Sequence, residues 1–292
     1  EVSIAATIAT APLTARHFQQ VSLIAPVANL LDLPLLGPAT LVPGLLALPT
    51  SFASPAAADG LLGLSATAAR FGLAVADRLA AWPWAAIATP LPSLVELALA
   101  YAAFALWWLY RDLRPRVRRI ALAVVVAAAL VDGTYWAWER FVDPTVRITF
   151  LSVGQGDAAV VELPHGIVMV IDGGGMPGDF DPGERVVAPF LRSRKILRVD
   201  VLVMSHPQLD HYGGLAYLAT HFRARELWSS GARGPGPRYT ALDAALDAAA
   251  TRRVSLRRGM TLPLGSGVVA DVLHPDDARR SSVNDASLVL RL

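Results

Sequence analysis

Two long apolar stretches near the middle of the chain constrain its fold most strongly. Residues 90–110 and 120–138 are each long enough to cross the roughly 30 Å hydrocarbon core of a membrane as a helix. Five arginines lie between them in residues 111–119, and such a loop favours the cytoplasmic side of a membrane. The second helix would then carry the chain outward, so we expect the following residues on the external, periplasmic side.

Charge divides the chain into two parts. Although 54% of the 292 residues are apolar, charged residues are rare up to residue 110, whereas from residue 140 onward they are frequent and mixed in sign. This predicts an α-helical transmembrane region at 1–140 and a soluble domain at 145–292. The absence of cysteine excludes disulfides and thiolate metal sites, and a net charge of +2 does not by itself indicate nucleic-acid binding. Because the chain lacks an initiator methionine and ends in an apolar run, we expect it to be part of a longer protein.

Five prolines interrupt the apolar residues 21–52, which argues against one lipid-facing span. Broken helices of a transport pathway and ordinary kinked helices packed in a bundle both explain this pattern. Asn29 and Asp32 lie one helical turn apart within it, and polar groups inside a membrane are costly enough to be candidates for function. We therefore predict Asn29 and Asp32 as transport-pathway residues, unless they lie at the hydrated end of a span. Residues 61–89 are amphipathic and typical of the membrane interface.

Strand and helix patterns alternate in the soluble part. Strands are predicted where β-branched and apolar residues cluster between turn residues, and they precede helices along the chain. This order favours sandwiched sheets with outer helices. The predicted strands are residues 146–153, 158–163, 167–171, 199–204, 227–229 and 268–273, and the predicted helices are 184–193, 214–221 and 241–250.

Residues 205–214, SHPQLDHYGG, follow a predicted buried strand and carry three candidate metal ligands within six residues: His206, Asp210 and His211. Imidazole nitrogen and carboxylate oxygen suit zinc or manganese, and the end of a strand can point such groups inward. Gln208 stands where a second histidine would complete a metallo-hydrolase signature. Asp172 ends another predicted strand before three glycines, where it could either support the site or bind turn amides.

The remaining polar candidates are weaker. Gln155 and Asp157 lie in a glycine-rich turn, where such residues are usually turn formers. The other histidines have no neighbouring ligand in the sequence, so we interpret them as incidental: His17, His165, His221 and His274.

Several of these motifs resemble one family. Residues 149–157, 170–174 and 205–214 resemble the metallo-β-lactamase-type domain of ComEC family competence proteins, which carry DNA across the inner membrane during transformation. Residues 273–275 and 284–290 resemble a later block of that family. Residues 1–140 are similar to the end of its membrane channel region, including 11–13 and 29–34. The resemblance implies an αββα sandwich, truncated at its C-terminal end.

The resemblance also implies roles. One or two divalent metal ions, zinc or manganese, would activate a hydroxide and stabilise a phosphodiester oxyanion, with Asp210 also orienting the water. Gln208 is a poor ligand, Ser152 replaces an aspartate often seen in the family, and further ligands are expected after Leu292. The implied metal ligands are His206, Asp210 and His211, and the implied supporting residues are Asp172, Gln155 and Asp157.

These features predict a multi-pass inner-membrane protein of DNA uptake. Its channel region would move single-stranded DNA, and its external metal-dependent domain would hydrolyse the strand that is not transported. The expected partners are single-stranded DNA, the membrane and other competence proteins. Two alternatives stay open: a membrane-anchored metallo-hydrolase of a small ester or lactone, and a catalytically inactive binding domain of the same fold.

Overall fold

A computed structural model describes residues 2–265, 267–276 and 287–292. Its contacts divide the chain into two compact units, Glu1–Leu113 and Arg114–Leu292. In the family-like block at 284–290, residues 284–286 lie outside the described part.

The first unit is helical. Local signals fix its helix starts: the Ser54 side chain accepts a hydrogen bond from the Ala57 amide, and Ser93 forms a capping box with Glu96. Two short strands pair antiparallel between the helices, β1 (Gln20–Ser22) and β2 (Ala86–Ala88). The helices are α1 (Val2–Phe18), α2 (Ala25–Leu36), α3 (Pro38–Ser51), α4 (Pro55–Ala80) and α5 (Leu94–Trp108).

The structure corrects the expected spans. The helix in the predicted span 90–110 has only 15 residues, because the capping box at Ser93 starts α5 late. Within the predicted arginine loop, Pro115 already begins α6 (Pro115–Phe141), which contains the predicted span 120–138. By length and composition alone, two helical stretches among the described residues could cross a membrane, Ala25–Ser51 and Pro115–Phe141.

The proline-rich residues 21–52 form two helices rather than one, as the prolines indicate. Gly37 has non-helical backbone angles and separates α2 from α3. A Cβ atom at Gly37 would lie 2.5 Å from the Leu33 carbonyl oxygen, so the close approach at this break requires glycine. Further along, the amphipathic segment predicted at 61–89 is helical only to the end of α4 at Ala80.

The second unit contains α6 and two sheets. The larger sheet has the order β3-β4-β5-β6-β7-β8, antiparallel from β3 to β5 and parallel from β5 to β8. Its strands are β3 (Arg147–Phe150), β4 (Ala159–Glu162), β5 (Val168–Ile171), β6 (Val201–Val203), β7 (Glu226–Ser229) and β8 (Arg252–Ser255). The smaller sheet is antiparallel, with β10 (Val268–His274) between β9 (Thr261–Gly265) and β11 (Val289–Arg291).

Alternating side chains of the larger sheet build two cores. Val160 and Val170 pack with the helices, whereas Val161 and Met169 pack with the smaller sheet. The helices are α7 (Ala188–Ser193), α8 (Leu209–Tyr212), α9 (Leu215–His221) and α10 (Pro237–Ala248), with a π-type turn Gly183–Val187 before α7. The predicted architecture, a helical region followed by an α/β domain with sandwiched sheets and outer helices, is confirmed.

Ion pairs connect the last turn of α6 to the sheets and helices of the second unit. Glu139 of α6 lies 2.8 Å from Arg194 and 3.0 Å from Arg147, and Arg194 also binds Glu162 of β4 at 2.9 Å. Arg140 donates a hydrogen bond to the Gly166 carbonyl oxygen at 2.7 Å. Because these carboxylates are mostly buried and shared between two arginines, the last turn of α6 belongs to the domain.

Candidate functional site

The candidate site lies where two parallel strands end side by side. Ile171 of β5 pairs with Val203 of β6, so the residues that follow meet at the same edge of the sheet. Asp172 comes directly after β5, and the loop 205–211 comes after β6. The amide of Gly173 donates to the His211 carbonyl oxygen at 2.7 Å, which ties the two segments together. This arrangement converts distant sequence positions into one cluster.

Asp172 is the centre of that cluster. It is 3% exposed and has a left-handed backbone conformation with φ +59°. One carboxylate oxygen accepts from the Ser205 amide at 2.8 Å, and the other accepts from the Ser205 hydroxyl at 2.6 Å. The same second oxygen lies 2.9 Å from His211 Nδ1. Asp172 therefore binds both side chains and backbone of the loop 205–211.

His206 has a hydrogen-bonding neighbour at each ring nitrogen. Its Nδ1 lies 3.0 Å from Ser205 Oγ, and its Nε2 lies 3.0 Å from Gln208 Oε1. Ser205 gives its one hydroxyl proton to Asp172, so its Oγ, like the amide oxygen of Gln208, can only accept a hydrogen bond from the His206 ring. The His206 and His211 rings also touch, with centroids 3.9 Å apart.

His211 and Asp210 form the more open side of the cluster. His211 Nε2 lies 3.8 Å from Asp210 Oδ2, and the Asp210 side chain is 45% exposed. Burial tends to lower the pKa of His211, but the hydrogen bond and charge of Asp172, with the charges of Asp210 and Asp157, raise that pKa above its ordinary value overall. The neighbouring carboxylates thus favour the protonated form of the His211 imidazole.

A second loop, residues 154–157, lies against the loop 205–211. Gly156 has φ +83°, and a Cβ atom there would lie 1.6 Å from the Asp210 carbonyl oxygen. The predicted supporting residues of this loop are held by their backbones: the Gly174 amide donates to the Asp157 carbonyl at 2.9 Å, and the Gly175 amide to the Gln155 carbonyl at 3.4 Å. Gly156 thus sets how closely the two loops approach.

A cavity of about 620 Å³ opens above the cluster. One wall is polar and carries the site residues, and the other is an apolar sheet face. Its polar lining is Asp157, Asp172, Ser205, His206 and His211, and the apolar wall includes Ile148, Phe150, Met169 and Ile171.

The sequence predicts one or two divalent metal ions at the loop 205–211. Among the described residues, however, no group of three or more histidine, aspartate or glutamate side chains is arranged to hold one ion. Gln208 contacts His206 Nε2, and Asp172 contacts His211 Nδ1. The potential metal-binding atoms that still face each other are Asp210 Oδ2 and His211 Nε2. The described residues therefore do not fit a metal site with three ligands.

The other predicted residues lie elsewhere. Asn29 lines a cavity of about 280 Å³ in the first unit with Thr7, Thr10 and Thr14 of α1. Asp32 has a buried Oδ1 with no hydrogen-bond partner among the described residues. His221 stacks on Tyr217 with ring centroids 3.9 Å apart.

Three features were not predicted from the sequence: Ser205 as the partner of Asp172, Gly156 at the contact between the two loops, and the threonines on one face of α1. The threonines recur at positions 7, 10 and 14, a helical spacing that could have revealed a polar face.

The layers and the strand-end loop define a metallo-β-lactamase domain, and the Metallo-beta-lactamase superfamily model matches residues 151–274. The Competence protein family model matches residues 1–114. The chain thus carries a region similar to the Competence protein family, followed by a metallo-β-lactamase domain. It is 25% identical over 315 aligned residues to ComE operon protein 3 of Bacillus subtilis (strain 168). That alignment covers 99% of this chain and 38% of the relative, so the chain spans well under half of the relative's length.

Proposed function

We propose that this protein serves DNA uptake in natural transformation. The observation that carries the proposal is the succession of a competence region and a metallo-β-lactamase domain in one chain, together with an alignment to ComE operon protein 3 that covers 99% of this chain. The first unit would belong to a multi-pass inner-membrane channel for single-stranded DNA. The second unit would face outward and act on the strand that is not transported.

Polar groups in the first unit support the channel role. Thr7, Thr10, Thr14 and Asn29 line one cavity in a unit whose other surfaces are rich in exposed apolar side chains. Hydroxyl and amide groups inside a membrane are expected where a polar substrate or water passes. A strand of DNA carries a charged backbone and needs such a lining.

Replacing Asn29 with leucine should therefore reduce DNA uptake. Loss of a polar contact that changes a barrier by about 1.4 kcal/mol slows a step about tenfold, and we expect a decrease of at least that order. The measurement is the transformation frequency of cells carrying the full-length variant, with protein level checked by immunoblot. Leu30→Ala is the matched control, because Leu30 is an exposed apolar neighbour on the same helix. Unchanged uptake in Asn29→Leu would count against a pathway role.

The second unit has two candidate roles. Hydrolysis of the remaining strand by a metal-dependent phosphodiesterase is supported by the superfamily match and by the carboxylates and imidazoles that line one cavity. Binding without hydrolysis is favoured by the hydrogen bond between His206 and Gln208, which engages a predicted metal ligand.

A cleavage assay separates these roles. The purified chain is incubated with labelled single-stranded DNA and either zinc or manganese, beside an Asp210→Asn variant. Cleavage that is lost in the variant supports the hydrolase, whereas DNA binding without cleavage supports the binding role. Cleavage of a lactone but not of DNA would instead indicate a small-substrate hydrolase.

A further inference from the structure

We propose that the loop between α7 and β6 contacts anionic phospholipid headgroups of the membrane that α6 crosses in the proposed function. The lipid-contact surface consists of Lys195, Leu197 and Arg198 of this loop, together with Arg223 in the turn between α9 and β7. The inference rests on the proposed membrane location of α6. It goes beyond the proposed function because it assigns a partner to a surface of the second unit at the edge of the sheet opposite the candidate site.

The loop lies at the level of the aromatic end of α6. Lys195 Nζ is 5.1 Å from the centre of the Trp136 ring, a distance at which a cation is attracted to the face of the ring. Tyr135, Trp136 and Trp138 belong to the last two turns of α6, and such residues are enriched where a membrane meets water. When α6 crosses a membrane, Lys195 is therefore at the depth of the lipid headgroups.

The side chains that this loop exposes are one leucine and its basic neighbours. Lys195 has a left-handed backbone, φ +59°, and turns the chain after the end of α7. Ile196 then enters the core with 0% exposure, whereas Leu197 is 44% exposed and Arg198 is exposed. At a membrane surface, an apolar side chain enters the boundary of the acyl chains while flanking cations meet the phosphates. The pattern of the loop suits that environment.

This edge of the larger sheet carries a surplus of positive charge. Arg198 and Arg223 come close together there, because the Val199 amide donates to the Phe222 carbonyl oxygen at 3.0 Å. The neighbouring carboxylates are compensated by other arginines: Glu139 and Glu162 by Arg147 and Arg194, Asp200 by Arg225, and Glu226 by Arg252. Asp143, which follows α6, binds the Thr145 amide and hydroxyl. Each basic residue near an anionic lipid surface strengthens the attraction about fivefold.

The direction of the strands fits a membrane at this edge. The lipid-contact loop precedes β6, and Gly166, which is bound by Arg140 of α6, precedes β5. Asp172 and the loop 205–211 follow the same two parallel strands. Contact with lipid at the first residues of β5 and β6 therefore keeps the cavity on the side that faces away from the membrane, where DNA outside the cell has access to it.

Single-stranded DNA is the other polyanion that a basic surface could bind. Proteins that bind it without sequence preference stack its bases on exposed aromatic rings. The apolar side chain exposed on this loop is an aliphatic one, Leu197, and the face of the Trp136 ring is covered by Lys195. These two observations favour lipid over DNA.

Fluorescence quenching by spin-labelled lipids tests the contact on the whole chain in nanodiscs of phosphatidylcholine and phosphatidylglycerol. Because the chain has no cysteine, Leu197→Cys accepts a single bimane label. A nitroxide on the lipid headgroup should quench this label at least about threefold more than a label at Phe180→Cys. Phe180 is 41% exposed and lies in the segment after β5, toward the candidate site. Val124→Cys on α6, with a nitroxide on the acyl chain, reports whether the helix is in the membrane.

Charge reversal identifies the attraction. Arg198→Glu, made in the Leu197→Cys protein, should lower the quenching by the headgroup nitroxide at least about twofold, and nanodiscs without phosphatidylglycerol should have a similar effect. Arg185→Glu is the matched control, because the Arg185 side chain is 65% exposed on the turn before α7. It should leave the quenching at position 197 unchanged.

Three results would overturn the inference. If the label at position 124 is quenched but the label at 197 is not, the lipid-contact surface is wrong and the membrane location of α6 stands. If the label at 124 is not quenched, both are wrong. If the label at 197 responds to a single-stranded oligothymidine and not to phosphatidylglycerol, the surface binds DNA instead. Quenching at 197 in a chain that cleaves no DNA would support this inference and count against the hydrolase role.

Discussion

Replacing Gly156 with alanine should prevent the two loops of the site from closing and strongly destabilise the second unit. The added Cβ would lie 1.6 Å from the Asp210 carbonyl oxygen and 2.5 Å from its carbonyl carbon. Both atoms belong to backbone, so no side-chain rotation can relieve the overlap. We expect a loss of about 4 kcal/mol or more, a large part of the 5–15 kcal/mol that stabilises a typical domain. Thermal unfolding in detergent, followed by tryptophan fluorescence, measures it.

Gly259→Ala is the matched control. Gly259 also has a left-handed backbone, φ +87°, but an added Cβ would meet no atom within 4 Å. This variant therefore suffers only the backbone penalty, about 1–2 kcal/mol. If the two variants lose the same stability, the close contact between the loop of Gly156 and the backbone of Asp210 does not exist.

The regular elements of the second unit followed from its sequence where local patterns were strong. Most strands of the larger sheet coincide with runs of β-branched residues, but β8 of that sheet and β9 of the smaller sheet were missed. β8 begins with Arg252 and Arg253, which hide its alternation, and β9 contains Pro263, which is tolerated at a sheet edge but argues against a strand in isolation. These strands form because a neighbouring strand pairs with them: β7 pairs with β8 from the other side of α10, and β10 pairs with β9.

In the candidate site, too, some features could be predicted from the sequence and others could not. That Asp172 meets the loop of His206 and His211 was predictable, since both follow buried strands and parallel strands end at one edge. How the hydrogen bonds are distributed was not predictable. The pairing of Gln208 with His206, and of Ser205 with Asp172, depends on side-chain rotamers that the packed loops select.

Replacing Asp172 with alanine should also have a large effect, because it removes three hydrogen bonds from a buried cluster. The Ser205 amide, the Ser205 hydroxyl and His211 Nδ1 would all lose their acceptor. A buried donor left without a partner costs about 1–3 kcal/mol, so we expect the free energy of unfolding to fall by about 3 kcal/mol or more. His211 would also lose the carboxylate that orients its ring, so cation binding at Asp210 should weaken.

Thermal unfolding and isothermal titration with zinc measure these two effects on the same preparations. Asp172→Asn is the graded variant: its amide oxygen can still accept from the Ser205 amide, so it should lose less stability than the alanine variant. Asp247→Ala is the control for loss of a carboxylate, because the pair of Asp247 with Arg253 is exposed and should contribute at most about 0.5 kcal/mol. An Asp172→Ala protein as stable as Asp247→Ala would contradict the central place of Asp172, whereas a stable protein with weakened cation binding would confine its role to orienting His211.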